Sequence, residues 1–215
     1  EIGVGTRVLD VCAGMGGPAR YLADRFGARV VGLDLTVSRV IGARQLTELV
    51  GLADRCAFVA GDAQRLPFAD GSFDAVIGQE AWLHVPDKAA LLGDAHRVLT
   101  ADGRIAFSDW IAGPGFDDAA AALMREGITA QDVATVDRYR ALLGAAGFRA
   151  VQVVDLSAEW VPILQARRDM YDRLRAETFE RTGTDSHKDY CVFYHAFVGL
   201  VEAGALGGAR ISARL

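Results

Sequence analysis

Val8-Leu9-Asp10-Val11-Cys12-Ala13-Gly14-Met15-Gly16-Gly17 reads as a buried strand that runs into a glycine-rich turn and then a helix. Open α/β sheets take up nucleotides at such a junction, because small residues let a ligand approach the backbone beside a helix N-terminus. A turn that binds nothing would use the same glycines, so this stretch decides the fold class before it decides a function. On both sides of it, runs rich in Val, Ile and Leu alternate with segments of helical period, which predicts an α/β fold with a parallel sheet and helices on both faces. Strands are expected at residues 7–11, 29–34, 57–60, 73–78 and 104–109, and helices at 17–26, 38–50 and 88–99.

After the fifth strand the rhythm changes. Residues 135–146 read as a helix that starts on a Thr cap and closes at Gly147, and 150–155 as a further strand. Two helical stretches follow, 158–182 and 188–202, and residues 207–215 alternate apolar and polar side chains as a half-exposed strand does. The expected architecture is a Rossmann-like sheet of seven strands, mostly parallel, finishing with two antiparallel strands that flank a helical insertion. One domain would cover residues 1–215: a core at 1–155, a helical insertion or lid at 156–206, and the last strand at 207–215.

Bulk properties narrow the function classes. The 215 residues, 51% of them hydrophobic, can bury one substantial core. A net charge of −5 and a pI near 5.4 argue against a surface that neutralises nucleic-acid phosphates. No apolar run is long enough for a membrane span and the N-terminus lacks a signal-peptide plan, so a cytoplasmic protein is expected. Cys12, Cys56 and Cys191 are odd in number and widely spaced, which supports neither a disulfide framework nor a zinc site. His187-Lys188-Asp189 has only the distant His195 as a further ligand, so no metal is expected.

A second element sharpens the glycine turn. Val30-Val31-Gly32-Leu33-Asp34 is a hydrophobic strand ending in a carboxylate 24 positions after Asp10, suited to accept hydrogen bonds from both hydroxyls of a ribose. Gly14-Met15-Gly16-Gly17-Pro18-Ala19 also satisfies G-x-G-x-x-A, which keeps a nicotinamide-dependent oxidoreductase in contention. Three features tell against it. Asp10 would repel a pyrophosphate but attract an ammonium. Gly61-Asp62-Ala63 offers an acid-small pair to an adenine edge. The antiparallel finish departs from the six parallel strands of the dinucleotide fold.

The stretch from Arg7 to Asp109 resembles the class I S-adenosylmethionine-dependent methyltransferases of the small-molecule type, the group that includes ubiquinone/menaquinone-biosynthesis and sarcosine/dimethylglycine enzymes. The motifs that carry it are the opening glycine turn, Gly61-Asp62-Ala63-Gln64-Arg65-Leu66-Pro67-Phe68 and Phe73-Asp74-Ala75-Val76. Gln79-Glu80-Ala81-Trp82-Leu83-His84, with Arg97-Val98-Leu99 and Gly103-Arg104, looks most like the sarcosine/dimethylglycine branch. The resemblance implies that Asp10, Ala13, Gly14 and Gly16 surround the methionine part of S-adenosylmethionine. It places Asp34 and Leu35 at the ribose and one adenine face, Asp62 and Ala63 at the adenine edge, and Gln79 at the methionyl end. It also implies helices before the first strand, which this sequence does not include. Cys12 stands where the family pattern usually has its first glycine, and it either turns into the core or narrows the pocket.

Methyl transfer is an in-line displacement from an activated donor, so the protein's work is alignment, exclusion of water and removal of a proton where the acceptor needs it. His84 is the candidate base, or alternatively a loop brace before Val85-Pro86-Asp87. Trp82, Trp110, Tyr171 and Tyr194 are candidate walls for the acceptor, with ordinary core packing as the alternative. The expected partner is a small-molecule acceptor, with an amine nitrogen as the first reading, bound by a monomer or homodimer. An oxygen or carbon acceptor on a quinone or natural product, and a non-catalytic cofactor-binding module, are the other readings. A nucleic-acid methyltransferase is disfavoured, because Gln79-Glu80-Ala81-Trp82 replaces the Asn/Asp-Pro-Pro-aromatic run such enzymes carry.

Overall fold

The computed structural model describes residues 2–215. Seven strands form one sheet in the order β3-β2-β1-β4-β5-β7-β6. The first half comprises β1 (Arg7–Val11), α1 (Gly17–Phe26), β2 (Arg29–Asp34), α2 (Val37–Leu49) and β3 (Cys56–Ala60). The chain then crosses to the other side of β1 for β4 (Phe73–Gln79), a 3-10 turn (Trp82–His84), α3 (Lys88–Val98) and β5 (Leu99–Ala112). β1 is parallel to both of its neighbours, with Leu9 opposite Val31 of β2 and Val76 of β4. The direction of winding reverses between β1 and β4, which opens a crevice at the carboxyl ends of these strands.

Alternation in β1 divides the core. Leu9 and Val11 face a cluster that includes Leu92, Ile105 and Phe107, whereas Val8 faces Ala19, Val40 and Phe58 under α1 and α2. β1 ends where the chain must turn sharply into α1. Gly16 takes the left-handed conformation there, with φ 77°, and Pro18 sits in the first turn of the helix with no N–H to leave unpaired.

The second half holds α4 (Asp118–Ile128), α5 (Val136–Ala145), β6 (Arg149–Asp155), α6 (Ser157–Thr182), α7 (Lys188–Glu202) and β7 (Leu206–Arg214). β7 inserts between β5 and β6 and is antiparallel to both, so the seven-stranded, mostly parallel sheet with its antiparallel finish is as expected. Two features differ from the sequence reading. β5 begins at Leu99, because Phe73 pairs with Leu99 and a register shift then brings Ala75 opposite Arg104. α4 was not expected: its run of alanines has no apolar period, and it buries only Ala120 and Met124, one turn apart. The insertion forms a helical hairpin whose apolar side joins a third cluster with Trp110, Met124 and Leu206. No helix among the described residues is long and apolar enough to cross a membrane.

Candidate active site

Two adjoining cavities open at the carboxyl ends of the strands. The smaller, about 310 Å³, is lined by Asp10, Gly14, Pro18, Gln79 and Glu80. The larger, about 800 Å³, is lined on one side by Asp34, Leu35, Asp62 and Ala63, and on the other by Pro86, Ile128 and Gln131. They share Cys12, Arg39, Ala81 and His84. The expected cofactor residues, with the exception of Gly16 behind the turn, therefore border one continuous cleft.

Each acid has a distinct state. Asp10 is 1% exposed and its Oδ2 has no hydrogen-bond partner, while burial, with a smaller contribution from nearby Asp34, pushes its carboxyl up to about 7. A buried oxygen without a partner is costly, and a ligand ammonium in the smaller cavity would supply that partner. Asp34 is engaged at both oxygens: Gly14 N–H donates to Oδ2 at 2.8 Å and Thr36 N–H to Oδ1 at 2.9 Å. These bonds tie the glycine turn to the end of β2 and leave the remaining lone pairs for ribose hydroxyls. Leu35 next to it is 74% exposed, an apolar side chain held out in the cleft where an adenine face would cover it. Gln64 donates to the Asp62 carboxylate from its backbone N–H at 2.9 Å and its side chain at 3.1 Å, which fixes that acid at the cavity wall. The residues present thus fit S-adenosylmethionine: an orphaned acid for the ammonium, a braced acid for the ribose, and an apolar shelf for the base.

Glu80 was not among the expected site residues. It follows β4 as Asp10 and Asp34 close β1 and β2, and that recurrence of acids at strand ends was the signal that could have found it. Its φ of 50° is the left-handed conformation, unusual for glutamate and a form of strain that functional sites hold. The backbone is held there by the Glu80 N–H donating to the Ser108 carbonyl at 2.7 Å. Among the described residues that line the two cavities, Asp10, Asp34, Asp62 and Glu80 face Arg39 as the single Lys or Arg, which favours a cationic ligand.

Cys12 resolves in favour of both alternatives. Its left-handed φ of 65° is what the usual glycine would adopt, and its side chain packs against the main core while also lining both cavities. Burial, followed by the charges of Asp34 and Asp10, pushes its thiol up to about 12, so it is a wall and not a nucleophile.

His84 sits where the cavities meet. Its Nδ1 lies 3.3 Å from the Thr129 carbonyl, which can only accept, so Nδ1 carries the proton in this contact and Nε2 is left as an acceptor. The aromatic residues expected around the acceptor are elsewhere. Trp82 is 1% exposed, stacks on Phe107 at 4.1 Å and donates from Nε1 to the Val11 carbonyl at 3.3 Å. Trp110 is buried between Trp160 and Phe197, at 4.6 and 4.8 Å. Tyr171 and Tyr194 pack on each other at 4.9 Å between α6 and α7. None of the four lines either cavity, because each satisfies its apolar surface inside the core or the hairpin. Thr129 and Gln131, on the loop after α4, line the larger cavity instead, and with α4 unread no signal pointed to them.

A family model described as a methyltransferase domain matches residues 9–107, the segment that supplies β1 through most of β5. The chain belongs to the class I S-adenosylmethionine-dependent methyltransferases. Among curated relatives, methyltransferase GfsG of Streptomyces halstedii is 35% identical over 178 residues, covering 81% of this chain and 64% of that protein. Sarcosine/dimethylglycine N-methyltransferase of Halorhodospira halochloris is 31% identical over 155 residues, covering 72% of this chain and 56% of that protein. The chain thus spans less than two thirds of the length of these relatives. Among solved structures, phosphoethanolamine N-methyltransferase 2 of Haemonchus contortus in complex with S-adenosyl-L-methionine superposes with a TM-score of 0.88. It is 22% identical and covers 100% of this chain and 49% of that one, a likeness of fold. With this membership, the nicotinamide oxidoreductase reading is set aside.

Proposed function

We propose that this methyltransferase domain moves the methyl group of S-adenosylmethionine to the nitrogen of a small amine. The observation that carries the reading is the position of His84 at the junction of the two cavities, with the acids of the donor site on one side of the cleft and the C-terminal end of α4 on the other. Bound S-adenosylmethionine would supply an electrophilic methyl group on a sulfonium. Asp10 accepts from the ammonium of its methionine part, Asp34 from the ribose hydroxyls, and Leu35 covers a face of the adenine. Glu80 and the carbonyl end of α4 give the acceptor side a negative potential that attracts an amine in its ammonium form. His84, pinned at Nδ1, takes the amine proton at Nε2 so that the nitrogen lone pair is free to attack. The name of the sarcosine/dimethylglycine relative supports an amine acceptor.

The test is an acceptor panel of amines, phenols, quinols and apolar alkenes with labelled donor, run on the wild type and His84→Asn. Methylated amine is the expected product, with turnover about 10²-fold lower in the variant and S-adenosylhomocysteine affinity retained. Methylation confined to oxygen or carbon would overturn the nitrogen reading, and undiminished turnover in His84→Asn would remove His84 from the chemistry.

A further inference from the structure

Behind His84 lies a buried polar network that none of the steps above uses. Lys88, the first residue of α3, is 1% exposed, although a lysine is among the residues least often buried. Its Nζ donates to the Asp132 carbonyl at 2.6 Å and to the Val85 carbonyl at 3.2 Å, and lies 3.3 Å from Asp132 Oδ2. Asp132 also pairs with Arg138 at 2.5 Å. The same loop reaches the 3-10 turn directly, since the N–H groups of Gln131 and Asp132 both donate to the Leu83 carbonyl, at 2.9 and 3.0 Å. From the other side, Leu83 N–H approaches Asp109 Oδ1 at 3.4 Å, and the Tyr139 hydroxyl donates to Asp109 Oδ2 at 2.5 Å. The turn is therefore gripped between β5 and the loop after α4, and the ammonium of Lys88 closes the grip.

We propose that Lys88 is the positioning residue of this active site: it clamps the segment from Thr129 to Asp132 onto the Trp82–His84 turn, and so sets the tautomer of His84. Free imidazole favours the proton on Nε2, the wrong nitrogen for a base that must accept there. The Thr129 carbonyl reverses that preference only while the loop is held against the turn, and a buried ammonium shared between Val85 and Asp132 holds it there. The inference rests on the base role assigned to His84 above, but its readout does not depend on knowing the acceptor.

The experiment is nitrogen-15 spectroscopy of the imidazole rings, of which the chain has four, together with calorimetry using S-adenosylhomocysteine as the probe. Wild-type His84 is expected in the Nδ1–H form when neutral. Lys88→Met shifts it several-fold toward Nε2–H, while S-adenosylhomocysteine affinity stays within about twofold because neither Lys88 nor Asp132 lines the cleft. Asp132→Asn, which keeps the main-chain acceptor but removes the charge, produces a smaller shift in the same direction and serves if Lys88→Met does not fold. A wild-type His84 with its proton on Nε2, or variants that leave the tautomer unchanged, would overturn the proposal. Absence of S-adenosylhomocysteine binding by the wild type would instead remove the reading on which it rests, and calorimetry reports that separately.

Discussion

Near neutral pH, Asp10 is close to the midpoint of its own titration, and this couples cofactor binding to protons. Its folded value of about 7 lies above the usual 3.8 because burial penalises the charge. The sign follows: the protonated acid is favoured by folding, so the stabilisation is fully present below the unfolded value and is lost as pH rises through about 7. A ligand ammonium needs the ionised form. Binding of S-adenosylhomocysteine should therefore release protons near pH 7 and weaken up to tenfold per unit as pH falls below that; calorimetry in buffers of different ionisation enthalpy measures both. Asp10→Asn should raise the melting temperature of the ligand-free protein at pH 8 yet weaken binding about 10–100-fold, the worth of a hydrogen bond to a charged group. A variant that loses stability and binding together would make Asp10 a structural residue. The acids at the strand ends were legible in the sequence, but their partners were not. Asp109 and Asp10 follow the same pattern, and only the fold shows that Tyr139 occupies one and leaves the other open.

Among the elements, the end of β4 decides how the turn below the site is seated. A Cβ at Gly78 would overlap Trp82 Nε1, so glycine is what admits the indole to its stack on Phe107 and its bond to Val11. Gly78→Ala should cost about 1–3 kcal/mol, the range for overpacking a core, and lower the melting temperature by roughly 2–12 °C in a chain of this size. A scanning calorimeter checks this, and an unchanged midpoint would show that the indole moves freely. This element also decides between the two readings that the sequence leaves open for Trp82. An aromatic after a strand end can wall a pocket or plug the core, and the choice is set by a glycine whose close contact lies in three dimensions. Helix starts were more legible, since Asp87 and Thr135 cap α3 and α5 through local bonds to Ala90 and Arg138. α4 has a comparable cap at Asp117, but its alanine run hid the helix behind it.

For the whole molecule, sheet and hairpin differ in how deeply they are anchored. The sheet order, the winding reversal at β1 and the antiparallel finish all followed from apolar periods and glycine turns, signals that are local and repeated. The seat of the α6–α7 hairpin did not, because α6 buries only Leu164 among its 26 residues and so carries no face that announces a partner. Amide protection should follow the same division. Hydrogen exchange is expected to be slowest in β1, β4 and β5 and markedly faster in α6 beyond Leu164; equal protection in both would show that the hairpin is covered in solution. The cysteines add a practical consequence. Burial raises the thiol of Cys12 to about 12 and also raises those of Cys56 and Cys191, so the molecule offers a maleimide almost no thiolate. One cysteine introduced at Thr184, in the bend between α6 and α7, would then react alone, making the native chain a ready background for site-specific labels with no thiol removed.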